Sequence, residues 1–204
     1  MASPVKGNTS FDFWSVPTVE PKRAFKFMVT IPGFQPFLVS KADRPSVTIS
    51  ETPHKFLNHT FYYPGVATWN DVKITFVDPG NGREPNQDAT LLLYNKLLEM
   101  GYRTPEGGDL GPPNLYTNVI SKGLSTQAFA EIKIQTLTHR PLAGTGIEDK
   151  TTTGEYFVLK NAWAKEMNFG SFDYNGEDLL QLDVTFRYDF AKLWTAKSRD
   201  LQSM

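Results

Sequence analysis

Three histidines, one turn-rich acidic run and a pair of carboxylates are the groups from which this chain would build chemistry. His54 and His59, in HKFLNH, stand five apart. On one continuous strand that odd offset sends them to opposite faces, so a metal pair needs an intervening bend, and no third ligand stands beside them in sequence. The run DPGNGREPNQD has the composition of a calcium loop but fails its order. Its third position is Gly80, where an Asp or Asn ligand belongs, and no Glu closes it at the twelfth. A turn followed by a helix cap explains it better. Gly144-Thr145-Gly146 lacks the strand-to-helix setting of a phosphate cradle, and His139 is followed by Arg140-Pro141 with no Gly-x-Ser-x-Gly elbow to serve. There is no cysteine, which removes thiolate nucleophiles, thiolate zinc sites and disulfides together and fits a reducing cytoplasm. Asp183 and Asp189 are what remains for a glycosidase-like carboxylate pair, but a solvated strand face accounts for both. The residue types therefore predict no enzyme, no metal site and no cofactor.

The elements that carry these residues read as strands. In LQLDVTFRYDF, Leu180, Leu182, Val184, Phe186, Tyr188 and Phe190 alternate with Gln181, Asp183, Thr185, Arg187 and Asp189. Period-two alternation means one face in a core and one in water, over about 36 Å if the strand is unbroken. RAFKFMVTIPGF repeats the pattern with Phe25, Phe27, Val29 and Ile31 before a Pro32-Gly33 turn. Two more extended strands, about 45–51 and 56–63, are predicted with His54 and Lys55 in a loop between them. WNDVKITFVDP adds Val72, Ile74 and Phe76, and FAEIKIQTLTHR adds Ile132 and Ile134. One helix stands out, over 87–100. Asn86 or Asp88 caps it, Gly101 stops it, and Leu91, Tyr94, Leu97 and Leu98 form its apolar stripe. The expectation is an all-β sandwich or barrel of seven or eight strands with one main helix, as a single domain over 23–195. Gly- and Pro-rich insertion loops at 101–128 and 143–155 interrupt it, and 1–22 and 196–204 are an N-terminal arm and a C-terminal tail.

With Lys+Arg 21 against Asp+Glu 22, the chain has no cationic excess to hold a phosphate backbone. No window is apolar enough for a membrane anchor, and the N-terminus has no secretory h-region. In the arm, Phe11, Phe13 and Trp14 sit among prolines, where neither helix nor central strand is comfortable. They either fold back on their own subunit or dock on a neighbour.

The stretch KNAWAKEMNFGSFDYNGEDLLQLDVTFRYDFAKLW resembles the C-terminal part of the tail tube proteins of contractile-tailed bacteriophages. The shared features are Ala162-Trp163, the link around Phe169 to Phe172, the Asn175-Gly176-Glu177 turn and the alternating strand from Asp183 to Phe190. Residues 39–79 look like the family's central hairpin, Pro-Gly link and Trp-Asn-Asp step. The resemblance implies hexameric rings whose sheets join into one barrel, stacked head to tail inside a contractile sheath as a conduit for DNA that is not specifically bound. Partners would be the chain itself, the sheath protein, and the baseplate tube and tail terminator proteins. The protein would sit in the virion after assembly in the host cytoplasm. Ring closure would also remove the unpaired sheet edges that a lone subunit exposes.

Ring-stacking candidates are then Pro53, His54, Lys55, Phe56 and Leu57, the last two alternatively packing in their own subunit. Lumen candidates are Ser46, Thr48, Ser50, Asp71, Lys73, Thr75, Glu131, Lys133 and Asp183, some of which will instead face outward. The long insertion leaves room for a baseplate-proximal tube initiator, and the tube of a type VI secretion or related system obeys the same physics. A different class, a carbohydrate-binding β-sandwich, would use Tyr62, Tyr63 and Trp69 as an aromatic platform.

Overall fold

The computed structural model describes residues 22–79, 88–103, 119–138, 152–174 and 176–195. The arm residues Phe11, Phe13 and Trp14, the turn at 80–87, His139, the GTG at 144–146 and the tail 196–204 lie outside them.

Alternation builds two four-stranded antiparallel sheets. The first, sheet A, runs β1 (Phe27–Thr30), β6 (Ile132–Thr138), β7 (Thr152–Lys160) and β10 (Phe190–Thr195) side by side. Sheet B is ordered β2 (Val39–Ala42), β5 (Val72–Val77), β9 (Gln181–Arg187) and β8 (Trp163–Asn168). Their apolar faces meet in one core. Val72, Ile74, Phe76, Leu182, Val184 and Phe186 are all fully buried from sheet B, and Val29, Ile132, Ile134 and Leu159 close it from sheet A. At roughly 1.5–3 kcal/mol for each large side chain buried, this core dominates the subunit's stability.

The alternating stretch 180–190 is not one long strand. Its parity holds from Leu182 to Tyr188, but the chain bends at Tyr188-Asp189 and leaves sheet B for sheet A, so Phe190 ends half exposed. The preceding connection makes the same move. β7 ends in sheet A, Asn161 takes a left-handed turn (φ 55), and β8 begins in sheet B. The two corners are tied to each other. Asn161 Nδ2 donates to Asp189 Oδ2 at 2.7 Å, and the Asp189 N–H donates to the Lys160 carbonyl at 3.1 Å. Sandwich corners are built by strands that change sheet through such bends.

Among the described residues the expected main helix is joined by a second, shorter one. α1 (Ala89–Glu99) is capped by Asp88, whose carboxylate accepts from the Leu91 N–H, as the sequence suggested. Its inward face differs from the expected stripe. Ala89, Leu93 and Met100 are buried, whereas Leu91 and Tyr94 are exposed, so the apolar face is rotated. α2 (Lys122–Phe129) lies in the segment expected as loop. Ser121 caps it, and Ser125, Ala128 and Phe129 are buried, with Phe129 edge-on to Phe186 at 5.1 Å. The second expected loop is shorter as well, since β7 begins at Thr152.

Candidate assembly surfaces

One antiparallel ladder runs outward from the core. β2 pairs with β5 inside sheet B; past a bend, held by Asp43 N–H to Lys73 O and Asn70 N–H to Ser46 O, the same two chain segments continue as β3 (Val47–Phe56) paired with β4 (His59–Trp69). This hairpin is a separate two-stranded sheet. Its strands are 10 and 11 residues long and none of those residues is buried. It reaches about 33 Å from the body at about 3.3 Å per residue.

The hairpin corrects two expectations. Pro53, His54 and Lys55 are not in a loop but in β3, paired with Tyr62, Phe61 and Thr60, and the turn is Leu57-Asn58. That turn is the bend the histidine pair required. His54 pairs with Phe61 and His59 with Phe56, which places both histidines on one face with Phe56, Phe61 and Tyr63. Among the described residues, however, no group of three His, Asp or Glu stands close enough to hold a metal. Val47 and Ile49 are 43% and 60% exposed because their strand has no body beneath it.

Local geometry is specific in two places. At the bulge between Ile49 and Glu51 the Ser50 Oγ accepts from the Val66 N–H at 2.9 Å, and a Cβ on Gly65 would come within 2.4 Å of that oxygen. Leu57 at the tip has φ 51, a left-handed conformation that a branched side chain adopts at a cost of about 1–2 kcal/mol. Its side chain is nonetheless 87% exposed. Strain held at an exposed apolar tip points to a role outside the subunit.

The second surface is the outward face of sheet B. Lys73 pairs with Asp183 at 2.9 Å, and Thr75 Oγ1 donates to the other oxygen of that carboxylate at 2.7 Å. Asp71 is held between Lys165 at 2.7 Å and Arg187 at 2.9 Å. Hydrogen bonds from Lys165 and Arg187 hold the Asp71 carboxyl below its ordinary 3.8, and those from Lys73 and Thr75 do the same for Asp183. Thr75 is buried under this pairing rather than open to solvent.

The outward face of sheet A carries Glu131 between Lys160 and Lys133, and a stacked Tyr156–Trp194 pair with centroids 6.4 Å apart. Since the core lies between the sheets, these two polar faces point in opposite directions. Glu131 and Lys133 therefore lie on the opposite side of the subunit from Asp71, Lys73 and Asp183. Ser46 and Thr48 are committed to Asn70 at the hairpin root. Nor do Tyr62, Tyr63 and Trp69 make a sugar platform. Tyr62 and Tyr63 are consecutive on β4 and point to opposite faces, while Trp69 packs on Tyr188 at 6.0 Å. The α2 helix and both corners escaped the sequence reading; Ser121 before a short apolar run was the available signal for α2.

No protein-family model matches this chain, and no curated protein does. Solved structures do. A chain of the sheath-tube complex of the PVC extracellular contractile injection system, in the extended state, aligns with a TM-score of 0.55 at 14% identity, over 92% of this chain and 99% of that one. A chain of the tube-terminating cap of the anti-feeding prophage gives 0.55 at 15% identity, over 89% and 95%. A chain of the 6-fold symmetrised baseplate of the anti-feeding prophage gives 0.51 at 12%, over 87% and 98%. The fold is thus one shared with chains of contractile injection system assemblies.

Proposed function

We propose that this chain is a tail tube subunit, a structural protein that works as one unit over 23–195. Copies close head to tail into rings, hexameric by resemblance, and rings stack inside a contractile sheath. The observation that carries the reading is the β3–β4 hairpin, two long strands with no buried residue and large apolar side chains on both faces. A lone two-stranded ribbon is marginal in water, so it needs cover from other copies. The 6-fold symmetry of the baseplate to which one similar chain belongs supports the ring. Pro53 to Leu57 make the contact between rings, with Phe56 and Leu57 as its apolar anchors. The outward face of sheet B lines the lumen. Asp71 and Asp183 there offset part of the charge of Lys73, Lys165 and Arg187, so a passing polyanion meets mixed charge rather than a purely cationic strip. Sheet A, with Tyr156 and Trp194, then faces the sheath. Baseplate tube and terminator proteins cap the two ends, and DNA is the cargo of a virion tail assembled in the host cytoplasm.

Likeness to chains from extracellular injection systems favours a second reading, in which the same tube carries another cargo. Negative-stain microscopy with solution mass, over a range of concentrations, tests both. Hollow rings or tubes are expected; a monodisperse monomer at every concentration and with every partner sinks the tube.

A further inference from the structure

Two unlike patches lie on opposite flanks of sheet B. On the β2 flank, between the edges of the two sheets, a groove of about 770 Å³ is lined by Lys22, Arg23, Lys26, Lys41 and Arg44. Its apolar floor includes Phe27, Ile134 and Phe157, and the Arg44 guanidinium lies 5.2 Å from the Phe157 ring centroid. Glu155 beside it takes Lys22 and Arg44, both at 2.8 Å, which fixes two of the cations in place. On the far flank, the link from β8 to β9 presents Phe172 at 90% and Leu179 at 71% exposure, with Tyr174 fully exposed. Between Asn168 and Asp183 the chain contains Asp173, Glu177 and Asp178 and no Lys or Arg.

We propose that the acidic, aromatic β8–β9 link of one copy seats in the basic groove between β1 and β2 of the next. Complementarity is twofold, anionic side chains against a cationic rim and aromatic side chains against an apolar floor. The order β2-β5-β9-β8 sets the patches on opposite edges of the sheet, three strand spacings or about 14 Å apart, and no residue of the link lines its own subunit's groove. Matching patches on opposite flanks make a heterologous contact, the kind that closes a ring by repetition. The inference rests on the ring reading and specifies which surfaces meet within a ring.

A chain without cysteine makes the test clean. Phe25→Cys in the groove and Tyr174→Cys in the link, combined in one chain and oxidised under assembly conditions, should give a ladder of cross-linked species above the dimer. Either single variant should stop at the dimer. No ladder while the wild type forms rings overturns this contact and leaves the ring reading standing; no rings at all removes both. An intramolecular cross-link between Phe25→Cys and Phe13→Cys would assign the groove to the arm instead and overturn the proposal. Charge reversal gives an independent readout. Lys41→Glu and Glu177→Lys should each raise the concentration needed for assembly by about tenfold, and the two together in one chain should restore it. Failure of that rescue counts against the contact.

Discussion

The sandwich body and the β3–β4 hairpin are built from the same alternating pattern, yet one is buried and the other is not. In β9 the residues Leu182, Val184 and Phe186 are fully covered; in β3 the equivalent Val47 and Ile49 are both exposed. The difference lies in what stands opposite. Sheet B has sheet A and α2 across from it, whereas no described element of the subunit covers the hairpin. Alternation thus says that a face needs cover and is silent about whether the cover is in the same chain.

The comparison breaks most sharply at Phe186. Phe186→Asp puts a charge at the centre of the core, beside Phe129, and is expected to cost upward of about 3–5 kcal/mol and unfold the subunit. A soluble variant that still melts cooperatively would mean the buried face is wrongly assigned. Phe56→Asp is the counterpart on the hairpin. Its side chain is 62% exposed, so the subunit's melting should shift by no more than about 0.5 kcal/mol while ring stacking is lost. Tubes of normal length in the microscope would rule out the tip as the stacking contact.

Acid separates the two regions by a smaller margin. The ladder on sheet B depends on carboxylates whose folded-state pKa is depressed, so its contribution is complete above the ordinary value of 3.8 and is lost as pH falls through the lower folded value. Asp189 at the corner behaves alike, held down by Lys122 and then by Asn161. These pairs are partly solvated, so each contributes about 1 kcal/mol at most. A urea titration series from pH 6 to pH 2.5 should show stability falling below pH 4, and Asp183→Asn should flatten part of that fall. An unchanged slope would mean that the pairs are not formed in solution. The smallest effect belongs to the tip. Leu57→Gly relieves the positive φ but adds unfolded-state freedom, for a net gain of a few tenths of a kcal/mol in the melting curve. If stacking also survives, Leu57 has no partner in the next ring.

Particular residues show how far sequence reading goes. Parity identified Leu182, Val184, Phe186, Val72, Ile74 and Phe76 as core because a pleated strand leaves no other choice once one face is apolar. Asp88 was legible as a cap because its carboxylate needs only the N–H three residues on. The helix stripe was misjudged because nearly every position from Leu91 to Leu98 is apolar or long, so several faces fit the pattern and packing chooses between them. The bend between His54 and His59 was set too early, at His54 and Lys55, because nothing in the sequence declares a turn at Leu57, a residue that rarely accepts positive φ. Tyr62 and Tyr63 looked like a platform only while adjacency in the chain stood in for adjacency in space.

From the sequence alone come the strand-rich class, the burial parity of the core strands β5, β6 and β9, the α1 cap and a chain without thiol chemistry, because these depend on local geometry and residue type. Tertiary structure decided where β7 and β9 hand over to the other sheet, which polar sets share a face, that α2 exists, and that the hairpin stands clear of its own core. Those features depend on contacts between residues far apart in the chain, which a period of two does not encode.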